Sequence, residues 1–285
     1  MNTYDHIQQE KPVAGGAPFL FGVFGNPVAH SLSPAMHNRA FEHTGVKAVY
    51  LPFCIEDIES GVAAARVLDI KGVSVTLPHK VSVIQWLDDL DPLAQRIHAV
   101  NTIVNRNGRL TGYNTDCYGA LDALSQQVDI KDKTVAIIGA GGAARAVGYG
   151  IVENGGVLTV VNRSEDRGRQ LAGDLSSAFL PLADAGDLVC DVLINTTRVG
   201  MHPDTAAMPI PAHVLKKGMT VMDIVYTPLA TALLKQAQKN GCAVVDGLSM
   251  FVRQGARQFE LWTGKKAPVG VMRREVREIL ASRGN

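Results

Sequence analysis

At 285 residues, 46 % hydrophobic and 19 % charged, with a formal net charge of +1, the sequence has the composition of a globular protein of one large domain or two smaller ones. A balance so close to neutral, with no basic stripe, argues against a nucleic-acid or polyanion partner. No apolar run reaches the length of a membrane span, the first residues do not read as a secretory leader, and Cys54, Cys117, Cys190 and Cys242 keep neither metal nor redox spacing. The expectation is a cytoplasmic protein with reduced thiols and no membrane partner.

Residues 1–17 are polar, contain Gly and Pro, and read as a flexible extension. Phe19 to Phe24 is the first expected strand, and Gly25-Asn26-Pro27 turns the chain. A helix follows from Pro34 to about Thr44, with Ser33 as N-cap, Pro34 at the first helical position and Gly45 closing it. Val49 to Phe53 reads as a strand and Ile55 to Leu68 as a helix. Val73 to Thr76 is a third strand, broken by Leu77-Pro78, after which a helical region reaches about His98. Asn101 to Val104 and Arg109 to Gly112 form a hairpin about Asn107-Gly108, a strong turn pair, and a helix runs from Cys117 to Val128. Strand and helix alternate, so this half is itself an α/β domain.

Thr134 to Ile138 is a short β-branched run that reads as a buried parallel strand. Gly139-Ala140-Gly141-Gly142-Ala143-Ala144 follows at once, then a helix through Ile151 and a second buried strand, Val157 to Val161. Gly139 permits the tight turn, Gly141 lets backbone approach a pyrophosphate, and Ala144 lets helix and strand pack closely. The helix N-terminus offers unpaired N–H groups to the phosphates. Strand, loop, helix and strand in this order point to a dinucleotide. The second strand ends in Asn162-Arg163-Ser164, with Arg167 one turn on, where an NAD-binding chain usually carries Asp or Glu. Guanidinium and hydroxyl groups suit the 2′-phosphate of NADP. The plainer alternative is that Ser164 caps the next helix and the arginines are solvated.

The same rhythm continues with strands at Val189 to Ile194, Val221 to Ile224 and, shorter, Val244-Val245. Helices are expected over Glu165 to Leu175 and Leu229 to Asn240. Two last helices, Leu248 to Thr263 and Val269 to Ala281, have no strand between them and are expected to return to the first domain.

Polar residues gather at the expected strand ends, where such folds bind ligands. Ser31 and Ser33 lie between the first strand and its helix, Thr76 and Lys80 at the end of the third, Asn101 and Thr102 at the start of the hairpin, and Asn114-Thr115-Asp116 after it. Ser33 and Asp116 could equally be helix caps, and a lone lysine is most often a solvated charge. His30 and His37 keep no ligand spacing with a third residue, so no metal is expected.

These residues resemble the shikimate dehydrogenases and the related quinate/shikimate enzymes, from about Phe19 to the C-terminus. The matching motifs are Gly25-Asn26-Pro27-Val28-Ala29-His30-Ser31-Leu32-Ser33-Pro34 with His37-Asn38, Val75-Thr76-Leu77-Pro78-His79-Lys80, Ala99-Val100-Asn101-Thr102 and Gly112-Tyr113-Asn114-Thr115-Asp116. The Gly139 to Ala144 loop, Asn162-Arg163-Ser164, Asn195-Thr196-Thr197, Asp223-Ile224-Val225-Tyr226, and Gly247-Leu248 with Met250 and Gln254 complete them. The resemblance implies a two-domain α/β fold: a substrate-binding catalytic domain of residues 1–116 and 248–285, and a Rossmann-type NADP-binding domain of residues 117–247. It implies NADP-dependent, reversible reduction of 3-dehydroshikimate to shikimate by a monomer or homodimer acting on a small molecule. Ser31 and Ser33 would bind the substrate carboxylate, and Thr76, Asn101, Asp116, Tyr226 and Gln254 would complete the pocket. Lys80 and Asp116 would be the catalytic pair. Gly139, Ala140, Gly141, Gly142, Ala143, Asn162, Arg163, Ser164, Arg167, Thr196, Ile224, Gly247 and Met250 would hold the cofactor, Met250 near the nicotinamide. The chain departs from the pattern at Ser74, where many members have Asn, at Ser249, where many have Gly, and at Arg198, commonly a small residue. Quinate or aminoshikimate as substrate, or a non-catalytic NADP sensor, are the alternatives; the presence of both Lys80 and Asp116 speaks against the sensor.

Overall fold

A computed structural model describes residues 17–283; all but the last residue of the expected extension, residues 1–16, lie outside the described residues. The chain divides into two compact units, one of residues up to Thr115 with Gly255–Val276, the other of Asp116–Gln254 with the residues from Arg277 onward.

The first unit is built on a six-stranded mixed sheet of β1 (Phe19–Gly25), β2 (Ala48–Cys54), β3 (Gly72–Val75), β4 (Asp89–Leu90), β5 (Thr102–Arg106) and β6 (Arg109–Tyr113), in the order β2-β1-β3-β5-β6-β4. β1, β2 and β3 run parallel, β5 is antiparallel to β3, and β5 and β6 form an antiparallel hairpin. Asn107 and Gly108 take φ of 52° and 85°, the left-handed pair that a two-residue hairpin turn requires. Helices α1 (Ser33–Thr44), α2 (Ile58–Val67) and α3 (Pro92–Ile97) connect the strands. One sheet face buries Phe24, Val73, Val75, Ile103 and Leu110 against Ile58, Val62 and Ala94 of α2 and α3. The other is aromatic: Phe21 packs on Phe41 of α1 at 5.1 Å and on Trp262 at 5.4 Å.

Two expectations in this unit are corrected. Ser33 is the first residue of α1, not its cap; Leu32 occupies the cap position and makes no side-chain cap bond. The region from Val81 to His98 is not one helix: a 3₁₀ turn (Ser82–Trp86) leads to β4, and Asp91, capping Leu93 N–H at 3.0 Å, starts α3 afresh. Pro92 after Asp91 forbids a helix from running through.

His37, on the inner face of α1, is fully buried and stacks on Tyr50 with ring centres 4.7 Å apart. Burial pulls its pKa from 6.5 down to about 3, outweighing the opposing hydrogen bond to Gln258. The unfolded chain therefore takes up this proton near pH 6.5 and the folded one only near 3. The contribution is intact above 6.5, and below it the folding equilibrium constant is expected to fall about tenfold per pH unit from this group. Denaturant titrations at pH 7 and pH 5, about neutral and mildly acidic, check this against His37→Gln, which should flatten the dependence. An equal loss in the variant would assign the acid sensitivity elsewhere.

The second unit carries a six-stranded parallel sheet of β7 (Thr134–Ile138), β8 (Val157–Asn162), β9 (Ala178–Pro181), β10 (Val192–Asn195), β11 (Thr220–Asp223) and β12 (Ala243–Val245), in the order β12-β11-β10-β7-β8-β9. This is the doubly wound nucleotide-binding order, reversing between β7 and β10. The linking helices are α4 (Asp116–Leu124), which enters the sheet, then α5 (Gly142–Glu153), α6 (Glu165–Asp174) and α7 (Ala232–Lys239). Alternate residues of β7 feed opposite cores, Val135 and Ile137 toward α4, α5 and α6, Ala136 and Ile138 toward Leu233 and Leu234 of α7. β9 is not among the expected strands, and β10 begins at Val192 because Val189 is 90 % exposed. Helix α8 (Gly247–Thr263) passes from this unit into the first, and α9 (Val269–Arg283) ends the described chain. No helix among the described residues is long and apolar enough to cross a membrane.

Candidate active site

In the first unit, the antiparallel hairpin carries the start of β5 and the end of β6 to the carboxyl end of β3, with Ser74 opposite Thr102 and Thr102 opposite Tyr113. Thr76 continues β3 with its N–H on Phe24 O at 2.9 Å, and the Lys80 carbonyl accepts Val100 N–H at 2.8 Å. His79 is pinned by a 2.7 Å bond between Nε2 and Ile55 O. The Lys80 backbone is thus fixed beside the segment that leads to Asn101. Asn101, 2 % exposed, accepts Thr115 N–H and Thr102 Oγ1 on Oδ1, both at 2.7 Å, and donates from Nδ2 to Thr115 Oγ1 at 3.0 Å. Ser31 Oγ accepts the Ser33 backbone N–H at 3.3 Å. Ser31, Ser33, Thr76, Lys80 and Asn101 therefore all belong to the strand-end loops of one sheet.

Asp116, Tyr226 and Gln254 belong to the second unit. Asp116, 6 % exposed, is the first residue of α4 itself, so its carboxylate sits in the first turn. Three residues along, a Cβ on Gly119 would come within 2.8 Å of Gln254 Cβ and 2.9 Å of Met250 O, so only glycine lets α4 and α8 approach this closely. Gln254 Nε2 donates to Phe251 O at 2.8 Å, and Tyr226 packs on the Phe251 ring at 4.8 Å.

The residues expected to hold the cofactor lie where β7, β8, β10 and β11 end. Gly139 has φ 118°, and its N–H bonds Val161 O at 2.8 Å; a Cβ there would meet Thr196 Oγ1 at 2.6 Å. Thr196 Oγ1 is itself held by donating to Ile138 O at 2.7 Å. Gly141 sits at the start of α5 with no side-chain cap, and a Cβ on it would meet nothing within 4 Å. The twelve-residue helix thus presents an uncapped N-terminus over an open glycine. Ala144 is fully buried against the sheet, while Ala140 and Ala143 remain half-exposed beside the loop. At the end of β8, Asn162 Nδ2 closes the turn on Ser164 O at 2.8 Å. Ser164 occupies the α6 cap position without a side-chain cap bond. Arg163 and Arg167 are exposed and, among the described residues, neither is ion-paired with a carboxylate, whereas Glu165 is taken by Arg169 at 3.0 Å. Gly247 lies where a Cβ would meet the Ile224 and Val225 carbonyls at 2.5 Å, and Met250 packs in the same core as Ile224.

Two supporting networks escaped the sequence reading. Asp223, fully buried, accepts from Asn195 Nδ2 at 3.0 Å, Val225 N–H at 3.0 Å and Thr231 Oγ1 at 2.7 Å, tying the loops after β10 and β11 to the start of α7. Burial raises its pKa against the pull of those bonds. In the first unit, Gln258 of α8 bonds Thr102 Oγ1 at 2.9 Å and Ser74 Oγ at 2.9 Å. These partners lie far apart in sequence, and only the motif membership of Asn195 and Asp223 could have drawn notice to them.

Three family models match the chain. One for the shikimate dehydrogenase substrate binding domain matches residues 23–103, one for shikimate / quinate 5-dehydrogenase residues 122–225, and one for the shikimate 5′-dehydrogenase C-terminal domain residues 247–277. The NADP(+) shikimate dehydrogenase of Methanosarcina acetivorans is 45 % identical over 276 residues, covering 92 % of this chain and 98 % of its own. Among solved structures, the Thermus thermophilus shikimate 5-dehydrogenase in complex with NADP(H) and shikimate is 39 % identical with a TM-score of 0.85, covering 91 % of this chain and 99 % of its own. The ligand-free 5-ketofructose reductase of Gluconobacter sp. strain CHM43 is 33 % identical with a TM-score of 0.85, covering 92 % and 99 %. With those matches spanning both units, the chain belongs to the shikimate dehydrogenase family.

Proposed function

We propose that the protein is an NADP-dependent shikimate dehydrogenase, an oxidoreductase of the aromatic amino-acid precursor pathway that reversibly reduces 3-dehydroshikimate to shikimate. The observation that carries this reading is the 45 % identity, over nearly the whole chain, to an NADP(+) shikimate dehydrogenase. The residues fit the cofactor: an open glycine at a helix N-terminus suits a pyrophosphate, and two arginines without carboxylate partners among the described residues suit a 2′-phosphate. Gly139, Ala140, Gly141, Gly142 and Ala143 take the pyrophosphate side, Asn162, Arg163, Ser164 and Arg167 the 2′-phosphate, and Thr196, Ile224, Gly247 and Met250 the nicotinamide side.

NADP, when bound, supplies the hydride chemistry. The chain supplies the rest. Ser31 and Ser33 lie against the carboxylate end of the substrate, and Thr76, Asn101, Tyr226 and Gln254 hold its ring. Lys80 exchanges the proton at the reacting oxygen and stabilises the negative charge that develops there, with Asp116 as its partner carboxylate. By function we assign residues 1–116 and 248–285 to substrate and catalysis and residues 117–247 to NADP, a division whose edges differ from those of the compact units at Asp116, at 248–254 and from Arg277 onward. We place the enzyme in the cytoplasm as a monomer or homodimer; four reduced thiols, three of them buried, are in keeping with a reducing compartment.

Initial rates with shikimate and quinate, each with NADP and NAD, test the reading. Shikimate with NADP is expected to give the highest kcat/KM. A preference for quinate or for NAD would move the enzyme to a sister activity, and no turnover with any pair would mark a binding protein.

A further inference from the structure

Gln258, 1 % exposed on α8, has every hydrogen-bonding position of its side chain filled from within the first unit. The Asn101 carbonyl can only accept, and it takes Val75 N–H at 2.8 Å and Gln258 Nε2 at 3.2 Å, so the nitrogen of the amide faces the start of β5. The second proton of that nitrogen goes to Thr102 Oγ1 at 2.9 Å. The amide oxygen accepts from the Ser74 hydroxyl at 2.9 Å and lies 3.3 Å from His37 Nε2. Ser74 Oγ itself accepts from the Tyr50 hydroxyl at 2.6 Å. Two protons and two lone pairs are thus engaged, and the amide cannot turn over without setting its oxygen against the Asn101 carbonyl. Ser74 is one of the positions where the chain departs from the family pattern. An Asn there, in the rotamer the hydroxyl now takes, would extend into the space that the Gln258 amide fills.

What Gln258 holds is Asn101, and it holds both ends of that residue. The backbone end is gripped directly through the carbonyl. The side-chain end is gripped through Thr102, which accepts the Gln258 N–H and gives its own proton to Asn101 Oδ1 at 2.7 Å, the nearer of its two other partners, since Thr115 Oγ1 lies 3.3 Å away. Thr115 N–H occupies the same Asn101 oxygen at 2.7 Å. A backbone N–H only donates, so Oδ1 is fixed toward Thr115 and Thr102, and the Asn101 nitrogen, with one proton on Thr115 Oγ1 at 3.0 Å, is the side of the amide left to face a ligand. We propose that Gln258 is a positioning residue for the substrate: through Thr102 and the Asn101 carbonyl it holds the Asn101 amide so that it meets the ligand as a donor, and thereby sets the affinity for a ring oxygen that accepts a hydrogen bond. The inference rests on the reading that Asn101 touches the substrate. Without the Gln258 amide, the Thr102 hydroxyl and the Asn101 carbonyl each lose a donor, the Thr102 proton is no longer confined to the side of Asn101, and Thr115 alone is left to hold the Asn101 oxygen.

The test is a double-mutant cycle on the Michaelis constant for shikimate, with the full-length protein and saturating NADP. Gln258→Leu and Thr102→Val remove the amide and the hydroxyl between it and Asn101 at nearly constant volume. Each is expected to raise the KM for shikimate about fivefold, the usual weight of one hydrogen bond, while kcat and the KM for NADP change by less than about twofold. On an Asn101→Ala background both effects are expected to vanish, because the group being positioned is gone. A residue that only supports the fold behaves otherwise: its loss lowers the melting temperature with the KM unmoved, or its effect on KM persists in full beside Asn101→Ala. Either result in either variant, or a loss confined to kcat, overturns the proposal. Thr102→Val keeps the proposal testable should Gln258→Leu fail to fold. Asn101→Ala by itself separates the underlying reading: an unchanged KM means that Asn101 does not touch the substrate, and both readings fall. A raised KM without coupling to Gln258 or Thr102 leaves the site standing and removes only the positioning role.

Discussion

Arg163→Ala is expected to raise the Michaelis constant for NADP about tenfold to a hundredfold while barely changing that for NAD. The weight comes from one charge-assisted contact to phosphate, worth about 1.5–3 kcal/mol. Its selectivity comes from the end of β8, where Asn162 replaces the acidic residue that would grip the ribose hydroxyls and instead closes the turn on Ser164 O. The two nearby acids do not undo this. Glu165 is held by Arg169 one turn along α6, and both acids lie in the first turn of the helix, where negative charge is favoured. Initial rates with each cofactor at saturating shikimate check the prediction. Equal loss with NADP and NAD would mean that Arg163 does not read the 2′-phosphate, and Arg167 would be the next guanidinium to remove.

What the sequence alone could reveal followed from how the information is stored. β7, β8 and β11 are buried on both faces, so they read as continuous β-branched or apolar runs, and Asn107-Gly108 has few uses besides a tight hairpin. The glycine loop after β7 is legible for the same local reason. β9 is a four-residue edge strand that ends in Pro181, and β4 is two residues long; neither is long enough to carry a periodic signal. Ser33 before Pro34 mimics a cap, yet Leu32 takes the cap position and Ser33 opens the helix as a buried residue. The residues expected to carry chemistry were legible as motifs at strand ends. Their supports were not, because Ser74 and Gln258 are 184 residues apart and meet only when α8 packs on the sheet.

Lys80→Ala is expected to lower turnover about a hundredfold to ten-thousandfold, the span usual for removing a general acid or base. Its effect on the Michaelis constant for shikimate should be much smaller, since Ser31, Ser33, Thr76 and Asn101 keep their places. The fold gives a reason to expect this separation. The loop holding Lys80 is fixed by its own backbone, through the Val100 N–H on the Lys80 carbonyl, and by the neighbouring His79 ring on Ile55 O, so truncating the side chain leaves the strand ends where they are. Asp116→Asn keeps the shape of a residue that is 6 % exposed on the first turn of α4, and it removes only the charge. It should lower turnover comparably if the carboxylate works with Lys80. The double variant should then be little worse than the worse single one, because groups that act as a unit are not additive. A purely structural Asp116 makes another forecast: its carboxylate serves the helix dipole, a matter of about 0.3–1 kcal/mol in stability, and Asp116→Asn turns over almost normally. Turnover measured at saturating substrate, with circular dichroism to verify folding, decides between them. Near-normal rates in both single variants would remove the pair from the mechanism, and independent, additive losses would leave each residue a role but not a shared one.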